Sequence, residues 1–173
     1  MKDKDIEVLA DKAYHLGYEY EKTYKGCAQC IVAAVQDTLN IKNDDIFKAV
    51  TGCSGGGGSL CDAGCGGYVG GTILLSMLWG RERNNFADPD NVRARTSELA
   101  RKLHARFTEE YGTVICRDIH MKLFGRFFYM ADPEEAEKFD AAGAHSTVCP
   151  GVVGKAAKWV TEIILQENLL PES

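Results

Sequence analysis

Between Thr51 and Gly71, glycine recurs at positions 52, 55–58, 64, 66, 67, 70 and 71, and cysteine interrupts the run at 53, 61 and 65. Glycine loses more conformational freedom on folding than any other residue, so the first part of this run cannot hold regular structure by itself. It must wrap something, and it divides the regular elements before it from those after it. The other four cysteines lie at 27, 30, 116 and 149. Cys27, Cys65, Cys116 and Cys149 each sit where the local sequence reads as a helix start. A helix N-terminus offers unpaired N–H groups and a partial positive charge. Both favour a thiolate, the form of cysteine that binds metals and attacks disulfides.

Bulk properties narrow the function classes. A chain of 173 residues suggests one domain, residues 1–173, large enough to be stable without disulfides. Its net charge of −5 and pI near 5.4 argue against a nucleic-acid binder. The charged start from Met1 to Val8 lacks an apolar signal core, and the apolar stretch from Tyr68 to Trp79 is too short and glycine-rich to span a bilayer. The expected setting is the cytoplasm, with no nucleic-acid or membrane partner. Thiols stay reduced there, so a cysteine-rich chain is more often metal-binding or catalytic than disulfide-stapled. An odd count of seven also fits poorly with complete pairing.

The element pattern is helical throughout. Ile6, Leu9, Ala13, Leu16 and Tyr20 recur at helical steps and predict a helix over 4–24. A second helix is expected from Cys27 to Leu39 and a short third over 45–50. Past Gly66, the residues Tyr68, Thr72, Leu75 and Trp79 share a face of a helix that is apolar on most sides, hence central. Its glycines would let another backbone approach closely. Asp88 followed by Pro89 reads as a helix start, with Tyr111 and Gly112 at the other end. Thr113–Ile115 reads as extended, Cys116 as the start of a helix ending at Gly125, and Asp132 with Pro133 as another start. The last helix opens at Cys149 and carries Val153, Ala156, Ala157, Val160 and Ile164 on one face. The fold expected is all-α, a single-domain helical bundle with a glycine-rich loop carrying cysteine ligands.

Common cysteine templates do not fit. There is no paired C-x2-C motif of a zinc ribbon, no closely spaced ferredoxin run and no haem-attachment motif. The glycine loop lacks the Lys-Ser/Thr ending of a phosphate loop. Cys27 and Cys30 share a helix face, and Cys61 and Cys65 are four apart, so either pair could serve a metal or a dithiol. Cys53 reads as a small buried residue or a further ligand. His15, His104, His120 and His145 read as surface or capping residues. His145, four before Cys149, is the best exception. The basic set Arg93, Arg95, Arg101, Lys102 and Arg106 reads as a solvated face or as a docking patch for an acidic redox partner.

Four short motifs in order resemble a known family. They are Gly26, Cys27, Ala28, Gln29 and Val32; then Cys65, Gly66, Gly67 and Gly70; then Tyr111, Gly112, Thr113, Val114, Cys116, Arg117 and Asp118; and finally Cys149. Over roughly residues 8 to 165 the chain is similar to the C_GCAxxG_C_C family of redox-active proteins, related to the non-haem domain of split-Soret cytochrome c. Gly67 departs from the usual Ala, and Cys30, Cys53 and Cys61 are extra to the four-cysteine pattern. The resemblance implies a helical homodimer from anaerobes in which Cys27, Cys65, Cys116 and Cys149 hold an iron–sulfur cluster, two-iron or four-iron. Backbone N–H groups near Gly64 and Gly66 are expected to reach the sulfurs. The function expected is electron transfer or a cluster-based redox reaction with an unidentified redox partner protein. The alternatives are a thiol–disulfide oxidoreductase using Cys27/Cys30 or Cys61/Cys65, and a structural zinc-binding interaction module. No catalytic acid, base or nucleophile stands out, so the sequence leaves open whether the protein is an enzyme.

Overall fold

A computed structural model describes residues 3–170, which hold eight α-helices and no β-strand. They are α1 (Asp3–Tyr24), α2 (Cys27–Leu39), α3 (Asp44–Ala49), α4 (Gly66–Trp79), α5 (Val92–Tyr111), α6 (Cys116–Phe124), α7 (Pro133–Ala141) and α8 (Cys149–Gln166). The all-α expectation holds. The N-terminal pair Met1–Lys2, part of the stretch screened for a leader, lies outside the described residues. No helix among the described residues is long and apolar enough to cross a membrane.

Helices α1, α2, α4, α5 and α8 enclose the main core. Helix α8 buries the expected face, with Val153, Ala156, Ala157, Val160 and Ile164 wholly inaccessible. The buried stripe of α1 is rotated from the expected one. It runs through Ala10, Ala13, Gly17 and Glu21, while Leu16 and Tyr20 lie at its margin. Small residues are preferred there because α1 lies close against α8, where the position of a Cβ on Gly17 is 3.2 Å from the Val153 carbonyl. Close approach also joins α2 to α4. A Cβ at Gly70 would come within 2.7 Å of the Ala28 carbonyl oxygen, so only glycine lets these backbones meet as they do.

Helix α5 begins later than the Asp88–Pro89 pair suggests. Asp88 takes a left-handed φ of 59°, and its carboxylate accepts hydrogen bonds from Val92 N (2.7 Å) and Arg93 N (3.1 Å). The aspartate therefore satisfies orphan amides of a helix that starts four residues on. Asp132 caps α7 as expected, accepting from Glu134 N at 2.9 Å. The basic residues of α5 are partly tied to α8, since Arg95 and Lys102 both bond Glu167 and Arg106 reaches Glu162 at 3.5 Å.

The glycine loop is fastened to the segment before α6. Cys65 N donates to Val114 O (2.7 Å), Cys116 N to Ala63 O (3.0 Å) and Arg117 N to Cys61 O (3.1 Å). Of the stretch 113–115 expected to be extended, Ile115 is so, in an isolated antiparallel bridge with Gly64, while the chain bends at Val114. A second, smaller cluster of Phe128, Phe139 and Ala144 packs with Phe124, Met130 and Cys149 beside the main core.

Candidate metal and redox centre

A cavity of about 320 Å³ opens where the two apolar clusters meet, and Cys27, Cys65, Cys116 and Cys149 all line it. Each arrives on a different element. Cys27 is the first residue of α2, Cys65 caps α4, Cys116 begins α6 and Cys149 begins α8. The room for Cys27 depends on Gly66, where a Cβ would lie 2.3 Å from the Cys27 sulfur. Gly66 thus contributes space. Gly64 contributes the bridge to Ile115. The amides aimed at sulfur come from Gly67 and Tyr68 onto Cys65, and from Gly55 onto Cys27 at 3.5 Å.

One helix start differs from expectation. Cys149 follows directly on a π-helical turn over Ala144–Val148, and its own N–H already donates to Ala144 O. Helical backbone therefore continues through this residue instead of beginning at it.

Electrostatics also correct the expectation of ready thiolates. Burial pushes the Cys27 and Cys149 thiols well above their usual range, and pushes Cys65 up to about 11 despite its two amide donors. Desolvation of a charged sulfur outweighs the pull of the helix N-termini here. These thiols stay protonated unless positive charge enters the cavity.

Glu21 is a wall of the cavity that the sequence reading missed. It is 2% exposed, and its Oε2 is buried without a hydrogen-bond partner. Burial raises its carboxyl to about 7, opposed by a hydrogen bond with Cys30 and by Lys25. Its signal was available as the continuation of the small-residue stripe 10–13–17–21.

Beside the cavity, Cys61, Cys116 and His120 bring two sulfurs and an imidazole nitrogen within 4.8 Å of one another, a group able to hold a metal ion. All three are buried. The expectation that His120 is a surface or capping residue is therefore wrong. It is the residue four after Cys116 on α6, and that spacing places both on one helix face. Its Nε2 lies 3.6 Å from the Cys116 sulfur, and its ring stacks on Phe139 with centroids 4.8 Å apart. The hydrogen bond shared by Cys61 and Cys116 favours the thiolate on Cys61 and the protonated thiol on Cys116.

The remaining candidates face elsewhere. Cys30 opens onto a separate surface cleft with Tyr20, Tyr24 and Phe47, and its thiol donates to Lys25 O at 3.1 Å. Cys53 sits in a 3-10 turn against the main core. His145 reaches the cavity wall, but its Nδ1 bonds Asp140, which also pairs with Lys25 at 3.0 Å. All seven cysteines are free thiols.

No curated protein and no solved structure matches the chain. The family model described as "putative redox-active protein (C_GCAxxG_C_C)" matches residues 25–163, which contain all seven cysteines and every cavity-lining residue from Lys25 to Val153, leaving out Glu21. On that match the chain belongs to the C_GCAxxG_C_C family of redox-active proteins.

Proposed function

We propose that the protein is an iron–sulfur redox protein whose cluster is held by Cys27, Cys65, Cys116 and Cys149. The observation that carries this reading is the convergence of four cysteines from four elements on one buried cavity. Iron–sulfur clusters are held by four cysteine thiolates, and four cysteines are what the cavity wall presents.

Such a cluster would take up and release single electrons. The chain's own residues set the conditions. The Gly67 and Tyr68 amides stabilise negative charge on the Cys65 sulfur, and such hydrogen bonds raise a reduction potential. Phe124, Phe139, Ile119 and Val153 wall the cavity with apolar surface and limit water. Glu21 gives a buried site where a proton can be held beside the cysteines. A Cys27/Cys30 dithiol gains no support, because the two residues line different recesses.

Anaerobically purified protein should contain iron and acid-labile sulfide, with visible absorption that bleaches on reduction. Cys149→Ser should lower the iron content. Colourless protein without sulfide after reconstitution, or protein holding only stoichiometric zinc, overturns the reading.

A further inference from the structure

Cys61 and His120 lie outside the four cysteines assigned to the cluster, yet both lie against one of them, Cys116. We propose that Cys61, Cys116 and His120 form a second site, for a single zinc-class divalent ion, with a fourth position open to the cavity. This inference shares Cys116 with the cluster reading but does not depend on it. A thiolate can bridge two metals, so both sites can be filled together.

Three observations support it. The donor atoms lie within 4.8 Å of one another, close to the spacing that a tetrahedral ion with two sulfur ligands and one nitrogen ligand draws together. The backbone is shaped to bring them there. Cys61 adopts a left-handed φ of 63°, an arrangement that costs a non-glycine residue energy and persists where surroundings impose it. Its N–H donates to Gly55 O (2.9 Å) and its carbonyl accepts from Arg117 N (3.1 Å), so both sides are held. Gly56 closes over the pair at a φ of 70°. A Cβ on it would lie 2.6 Å from the Cys61 Cα and 2.7 Å from the Cys116 Cβ.

The third observation is that the imidazole is buried against these sulfurs. His120 is 4% exposed, and its Nδ1 is buried with no hydrogen-bond partner. A metal on Nε2, the nitrogen 3.6 Å from the Cys116 sulfur, would make the ring a ligand. The donor set matches the chemistry of the ion, since mixed thiolate and imidazole ligands suit zinc, and three protein ligands leave one position vacant. Cys116 and His120 line the cavity while Cys61 lies behind them, so the vacant position faces the cavity.

The test uses cobalt(II), a visible stand-in for zinc, on reduced, chelator-stripped protein carrying Cys27→Ser and Cys149→Ser. One cobalt per chain is expected, with thiolate-to-cobalt charge-transfer absorption. Cys61→Ser and His120→Gln should each weaken binding by about 100-fold. His120→Cys should restore it, because it returns a donor while lacking the ring, so a packing defect alone would not be rescued. The same three variants in the otherwise unaltered chain cover the case in which the double variant fails to fold. Affinity unchanged by Cys61→Ser and His120→Gln, or cobalt bound without thiolate charge transfer, overturns the proposal. Iron and sulfide assays on the unaltered chain report on the cluster separately.

Discussion

Glu21 closes the buried stripe of α1 at the cavity wall, with one carboxylate oxygen unpartnered. Burial raises its carboxyl from 4.5 to about 7. In the folded protein it therefore stays protonated over a range where the unfolded chain already ionises it. Its contribution to stability is fully present below pH 4.5 and is lost as pH rises towards 7. Glu21→Gln keeps the shape and removes this loss. Chemical denaturation of the variant should show a gain on the order of 3 kcal/mol at pH 8 and none at pH 4. The sequence could have shown this residue, because it stands four after Gly17 and eight after Ala13. Its sequence neighbours do not set it apart from the other charges of the helix, since nothing local reveals which small residues face α8. His120 was missed for a related reason. Its spacing from Cys116 was visible, but its burial depends on Phe139, which is nineteen residues away in sequence and arrives on α7.

Among the elements, α2 and α4 form the hinge of the site, since Cys27 opens one and Cys65 caps the other. Their contact rests on Gly70 against the Ala28 carbonyl, and their cysteines on Gly66. Gly70→Ala would force the two backbones apart. Overpacking of this kind costs about 1–3 kcal/mol, and the displacement of Ala28 moves the neighbouring Cys27. A lower denaturation midpoint together with a reduced iron content is the expected result. Gly66→Ala should act on site and stability together. Its methyl would meet both the Cys27 sulfur and, at 2.9 Å, the Ala28 backbone nitrogen, so iron content and stability should both fall, as read by metal analysis and thermal unfolding of the same samples. The spacing of glycines three and four apart in α4 did announce a close helix partner. That the partner is α2, and that Gly66 makes room for a sulfur, followed only from the packing.

At the scale of the whole molecule, the cavity lies at the seam between a large helical core and a small aromatic cluster. Phe139 seals it, being 2% exposed and packed on Phe124, Phe128 and His120. Phe139→Ala should cost about 3–5 kcal/mol of stability through the space it leaves. It should also admit water and oxygen, so the visible absorption of the anaerobically prepared protein should bleach faster on exposure to air. The sequence by itself determined the helical class, because period and cap signals are local, and it determined the four-cysteine framework, because the motifs are contiguous and ordered. It also announced the wrapping role of the glycine run. Only the tertiary structure decided that burial outweighs the helix N-termini at the thiols, that Cys30 turns to another surface, and that Cys61 and His120 join Cys116. Those outcomes depend on how far each sulfur is removed from water and on which distant segment lies against it, and both are properties of the packed chain.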